Sequence, residues 1–248
     1  MFFACLLLSF EAITHSFPIW LTISLFVMVG TLGFMYIPRQ LHQEAPLLPF
    51  DLLRVPVFGI SVVTSVTSFV AQMTAITALP FYLQHQMGYT PSEAGMLYMA
   101  WPLVVMGVAP LSGYLMRKIH AGILGGIGQM LIITGLLLLA SLDEGASSGD
   151  IFLRIMLCGA GFGLFQSPNN SIIMSVAPPD RSGSASGMLA TARLIGQTTG
   201  AMLVALMFNM FDGDGPRYAI CVSAAVASVA CLLSLSRSGM ALPTDMRR

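Results

Sequence analysis

Long apolar runs broken by short polar turns set the pattern of this chain from end to end. A helix needs about 20 apolar residues to cross a bilayer. Seven runs reach that length: 18–37, 55–83, 91–116, 123–142, 151–176, 185–211 and 218–236. An eighth, 1–13, is too short alone and predicts a partial helix. The turns carry their own chemistry. Thr90-Pro91-Ser92-Glu93 predicts a capping box, with Thr90 as N-cap and Glu93 reaching back from N3. Pro38 ends the 18–37 run before a polar linker at 39–54, and Pro178-Pro179 cannot continue a helix. Gly183 and Gly187 predict close backbone approach where the next span begins. Asp212-Gly213-Asp214-Gly215-Pro216 predicts a tight polar turn.

Composition turns this pattern into a fold class. Of 248 residues, 56% are hydrophobic and 9% charged, against about 25% charged in a soluble domain. Such a chain cannot cover itself with polar surface in water. The expectation is all-α: a polytopic membrane helix bundle whose first partner is the lipid bilayer. Eleven basic and eleven acidic residues cancel, so no nucleic-acid partner is expected. Cys5, Cys158, Cys221 and Cys231 stand singly in apolar runs and read as small buried hydrophobes, with no metal site. No cofactor is implied. No Ser/His/Asp constellation or His-rich box exists, and the chain does not read as an enzyme.

Basic residues set the orientation. Alternate loops hold Arg39 and Arg54, then Arg117 and Lys118, then Arg181, and finally Arg237, Arg247 and Arg248. The opposite set carries Glu93, Asp143, Glu144, Asp150, Asp212 and Asp214, with only Arg154 and Arg217. The first set and the C-terminus are therefore expected in the cytoplasm. The last six spans then form one compact set that begins and ends on the cytoplasmic side.

Candidate chemistry concentrates in 159–200, where polar groups interrupt apolar helices. Polar side chains at membrane depth usually face a bundle interior or a water-filled path. Pro168 cannot donate to the carbonyl of Leu164, so a bend is expected there, with Gln166, Asn169 and Asn170 around it. These amides read as cavity lining or as hydrogen-bonded glue between spans. Arg193 lies roughly 13 Å into its helix at 1.5 Å per residue, with Gln197 at i+4 on the same face. It reads either as a transport residue or as a lock between helix ends. Ser61, Ser65, Ser68 and Gln72 form one polar stripe, and Pro80 adds a flexible point beyond it. Gly161, Gly163, Gly196 and Gly200 permit close helix contact.

These words resemble a known family. Gly161-Phe162-Gly163-Leu164-Phe165-Gln166-Ser167-Pro168-Asn169-Asn170, Gly183-x-Ala185-Ser186-Gly187 and Arg193-Leu194-Ile195-Gly196-Gln197-Thr198-Thr199-Gly200 resemble the C-terminal half of the fourteen-helix drug/proton antiporters of the major facilitator superfamily. Pro80-Phe81-Tyr82-Leu83-Gln84 and Gly88-Tyr89-Thr90-Pro91 are similar to the family's seventh core helix and outer loop. One departure is local. A Gly-x-Leu-x-Asp-Arg loop is frequent in the family, but here the chain reads Gly113-Tyr114-Leu115-Met116-Arg117-Lys118, with Arg117 in the acid's place. The resemblance implies a C-terminal portion: 1–54 as extra helices and linker, 55–248 as the six-helix half. It also implies proton-coupled efflux of hydrophobic drugs or other small solutes across a bacterial inner membrane. The proton-coupling carboxylate would lie in a missing N-terminal half, or a second copy would complete a half-size transporter. A remnant that inserts without transporting is the competing expectation.

Overall fold

The computed structural model describes residues 52–143 and 145–240, with Ser24, Val27, Met28 and Thr31 ahead of them. The partial helix expected at 1–13, most of the span at 18–37, most of the linker and the tail beyond 240 lie outside the described residues. Seven α-helices follow: α1 (Pro56–His85), α2 (Pro91–Tyr98), α3 (Ala100–Leu115), α4 (Ala121–Ala140), α5 (Ser148–Val176), α6 (Ser182–Met210) and α7 (Gly215–Ser236). Among the described residues there is no strand. Counting α2 and α3 as one crossing, six segments are long and apolar enough to span a membrane. The fold is an all-α membrane bundle, as the apolar pattern predicts.

Helix ends fall within a few residues of the predicted runs, and local chemistry explains them. The capping box forms: the Glu93 carboxylate accepts from the Thr90 amide at 2.9 Å, and the Glu93 amide donates to Thr90 Oγ1 at 3.4 Å. Gly213 sits at φ 81°, so the turn into α7 uses a backbone conformation that favours glycine. The 91–116 run is not one helix but two, parted at Met99. Pro102 offers no amide to the Tyr98 carbonyl, and the loss of that bond explains the break.

Packing arranges the spans as two related triplets. α4 packs against α5 and α7, α7 also packs against α1, and α1 touches α5. α3 lies along α5, and α6 lies along α1. Most of this neighbour pattern is kept when the first three spans exchange places with the last three; the exception is that α6 also touches α7, with no comparable contact between α3 and α4. Transporters built from three-helix repeats have that property, although the sequence itself shows no strong repeat. α3 and α6 are the least covered spans. They stand as flanks on either side of the α1–α5 pair.

Glycines fix the closest seams. A Cβ on Gly196 would come within 2.6 Å of Phe69 Cβ and the Val66 carbonyl, and one on Gly200 within 2.6 Å of the Val70 carbonyl. Both therefore press α6 onto α1. Gly161 meets Gly128 and Ile132 of α4, while Gly163 meets Val108 of α3. The expectation for Gly183 fails: a Cβ there would meet nothing within 4 Å. It lies exposed in the first turn of α6, where no neighbouring helix comes close. Gly187, one turn on, is half-buried.

Candidate functional site

Two groups of polar side chains lie inside the bundle. The first is closed. Arg237, just past the end of α7, is 1% exposed, and its guanidinium donates to Ser61 Oγ at 2.8 Å, Asn169 Oδ1 at 2.6 Å and Ser234 Oγ at 2.9 Å. Asn169 in turn donates through Nδ2 to Ser65 Oγ at 2.6 Å and to the Ser61 carbonyl at 3.4 Å. The assembly ties α1, α5 and α7 together at the end that carries Arg117, Lys118 and Arg181. One turn further along α1, Ser68 Oγ accepts from Gln129 Nε2 of α4 at 2.7 Å. The serine stripe therefore serves as an acceptor ladder for three neighbouring helices.

This corrects two expectations. Asn169 is not cavity lining: at 1% exposure it is sealed between α1 and α5. At about 100° per residue it shares the side of α5 that carries Phe162, seven residues earlier, which meets Phe69 of α1. Arg237 is not a solvated loop charge either. It caps a span whose last turn places Ser234 at i−3, and Gly125 leaves room beside its Nη2. Arg237 and Gln129 were both missed by reasoning on sequence. Gln129 could have been found, because it is the sole charged or amide residue within the apolar run 123–142.

The second group is open. Arg193, the twelfth residue of α6, is exposed, and its guanidinium carbon stands 5.2 Å from the centre of the Phe69 ring. Phe69 meets Phe162 of α5 edge to face at 6.0 Å. Gln197 follows Arg193 at i+4 and is half-buried. On α5, Gln166 falls between the side facing α1 (Phe162, Asn169) and the side facing α3 (Gly159, Gly163), and Asn170 is one turn on toward α3. Gln72 extends the α1 stripe by one further turn. Gln72, Gln166, Asn170 and Gln197 are all half-buried, and none has a hydrogen-bond partner among the described residues.

Pro168 is buried in α5, and the carbonyl it cannot satisfy, that of Leu164, accepts a bond from Ser112 Oγ of α3 at 3.3 Å. The break in the α5 ladder is thus bridged from a neighbour. Pro80 lies within α1, near its far end. Arg117 and Lys118 occupy the α3–α4 turn, and Lys118 Nζ sits 5.5 Å from the centre of the Tyr114 ring. The two arginines that break the charge asymmetry both cap α4. Arg154 donates to the Leu138 carbonyl and pairs with Asp150 at 2.6 Å, and Arg217 donates to the Ala140 carbonyl at 2.8 Å. Cations suit the carbonyl end of a helix, which accounts for basic residues at that otherwise acidic end.

No cluster of three His, Cys, Asp or Glu side chains able to hold a metal exists among the described residues. What the open group offers is one cation and four amides, the cation resting on a buried pair of aromatic rings. Such groups can hydrogen-bond a solute without covalent chemistry.

The Major Facilitator Superfamily profile matches residues 1–201. The chain is 49% identical over 208 residues to the uncharacterized transporter YebQ of Escherichia coli (strain K12), covering 84% of this chain and 46% of that protein. It is 30% identical over 186 residues to the multidrug resistance protein Stp of Mycobacterium tuberculosis (strain H37Rv), covering 73% and 34%. Against the tetracycline resistance determinant of Streptomyces rimosus it is 31% identical over 188 residues, covering 72% and 52%. The chain therefore spans about a third to a half of these relatives. Six membrane-length spans, under a profile that matches most of the sequence, lead to one conclusion: this chain belongs to the major facilitator superfamily.

Proposed function

We propose that the chain forms one wall of the central cavity of a drug-efflux antiporter, with the open group facing that cavity. In this reading 55–248 is the C-terminal six-helix half, and 1–54 supplies extra helices and a linker. The basic end faces the cytoplasm of a bacterial inner membrane. One observation carries the reading: Arg193 is exposed at the middle of α6 in this chain. A guanidinium at the bilayer centre costs at least about 2.5–3.5 kcal/mol on insertion scales, so this face needs water or protein rather than lipid against it. Four unpartnered amides on the same side point the same way. An N-terminal half, or a second copy, would supply the opposite wall.

Small-molecule cargo and proton exchange rest on family likeness. Relatives named for multidrug and tetracycline resistance favour hydrophobic solutes, and neutral amides suit such solutes because they carry no charge preference. No acidic residue lies at mid-span among the described residues, so the proton carrier would belong to the opposite half. The cavity is tested by single cysteines at 166, 170 and 193 in a cysteine-free background, probed in intact membranes with a charged maleimide. Labelling at all three, slowed by a transported dye, is the expected result. Unreactive thiols at these positions would mean a dry or lipid-covered face, and the non-transporting remnant would take its place.

A further inference from the structure

We infer that the α3–α4 turn forms a second site, on the rim of the bundle, that binds the phosphate of an anionic lipid headgroup. A cleft of about 410 Å³ opens there, lined by Arg117, Lys118 and His120 of the turn and by Ser171 and Ser175 of α5. That volume lies within the range of small-molecule sites, about 300–1,000 Å³. None of its lining residues is acidic. Arg117 and Lys118 are exposed, and among the described residues neither makes an ion pair. Two cations beside a cleft with no counter-charge give it a positive field that favours an anion from outside.

The polar lining suits a phosphate oxygen. Ser171 and Ser175 stand at i and i+4 on one face of α5, and Ser175 Oγ already donates to the Ile172 carbonyl at 3.0 Å. Ser171 has no hydrogen-bond partner among the described residues. His120 accepts the Gly122 amide at Nδ1, 3.1 Å away, which leaves Nε2 as the protonated nitrogen and a donor. That same bond, with the Ile123 and Leu124 amides both donating to the His120 carbonyl, caps α4 internally. The helix end itself therefore adds little, and side chains make the site.

Position selects a lipid as the source of the phosphate. Ser171 is two residues beyond Asn169, so it points about 200° away from the side sealed against α1. The cleft opens outward, away from the central face. Leu111 and Ile123, on the two helices that flank it, are 51% and 42% exposed and offer apolar surface for acyl chains. Basic pockets between spans on the cytoplasmic side bind anionic headgroups. The assignment to that leaflet rests on the orientation proposed above, whereas the chemistry of the cleft does not.

Native mass spectrometry of the detergent-purified chain, titrated with phosphatidylglycerol or phosphatidylcholine, tests the site. It needs neither transport nor a defined sidedness, so its failure is separable from failure of the transporter reading. The expected result is selective retention of phosphatidylglycerol, weakened about 25-fold in R117Q/K118Q, at about fivefold per basic residue near an anionic surface, and restored in R117K/K118R. Equal retention of both lipids, or undiminished retention by R117Q/K118Q, overturns the proposal. So does weak binding by both double variants. A further arm adds millimolar inorganic phosphate: unaffected lipid binding supports the lipid source, while full displacement overturns it in favour of a soluble phosphate.

Discussion

Arg237 and Arg193 occupy the same bundle under opposite conditions. The first is sealed, with three hydrogen-bonded oxygens around its guanidinium and no carboxylate among its partners. The second stands exposed over one aromatic ring. Asn169 and Asn170, adjacent in sequence, divide the same way. Asn169 is bonded at both ends of its amide, and Asn170 at neither. Polar residues in an apolar span thus fall into two kinds, and residue type does not separate them. Satisfaction does, in the main: a group that makes most of its bonds within the bundle holds it together, even where single atoms such as Arg237 Nε and Gln129 Oε1 stay without a partner. One left open at the same depth awaits water, a ligand or a partner.

The comparison breaks most sharply at Asn169. Asn169→Leu leaves the buried Arg237 with two serine hydroxyls and leaves Ser65 without its donor. A hydrogen bond to a buried charged group is worth about 1.5–3 kcal/mol, and the Ser65 contact is lost with it, so detergent-solubilised Asn169→Leu should melt well below the wild type. Asn169→Asp keeps an acceptor for the guanidinium and should fall between the two. If Asn169→Leu melts like the parent, the sealed cluster contributes no stability and the contrast with the open face collapses.

Next in size is Gly196→Ala. Its new Cβ meets backbone as well as Phe69 Cβ at 2.6 Å, so α6 must move away from α1. Overpacking of this kind costs about 1–3 kcal/mol, read as a lowered melting midpoint. Since Phe69 also carries Arg193, the displacement should impair transport too.

Arg193→Ala should separate the two kinds of polar residue. An exposed cation–π contact is worth about 0.5–1 kcal/mol, so the melting midpoint should barely change. Transport by the complete protein, at matched expression, should fall by roughly tenfold or more, the equivalent of about 1.4 kcal/mol of lost interaction. A variant that melts normally and transports normally removes Arg193 from the cavity wall.

Sequence periodicity carried the architecture further than the site. The six described spans and their turn chemistry followed from apolar run length, the Thr90–Glu93 box and Pro178-Pro179, because each is decided by neighbours a few residues away. The partition of the polar residues was not legible, because it depends on contacts between distant segments. Ser61 and Arg237 are 176 positions apart, and Asn169 and Ser65 are 104 apart. The packing of Gly196 against Phe69 is equally distant, although a Gly-x-x-x-Gly spacing announced some contact. Gly183 shows the limit of that reasoning, since a small residue permits an approach without compelling one.

Gly183→Ala is accordingly the smallest expected effect, and it sharpens the comparison along a single helix. The substitution is chemically identical to Gly196→Ala, thirteen residues away. At 183 the added methyl enters open space, and the backbone is helical rather than left-handed, so nothing is strained. Alanine also lowers the conformational freedom of the unfolded chain, a gain of about 0.4–1 kcal/mol where the native geometry suits it. The first helical turn receives only part of that gain, so the melting midpoint of Gly183→Ala should equal or slightly exceed the parent's. A marked loss would mean that another segment packs on the start of α6 in the working protein, and that the open side of the bundle extends to this helix end.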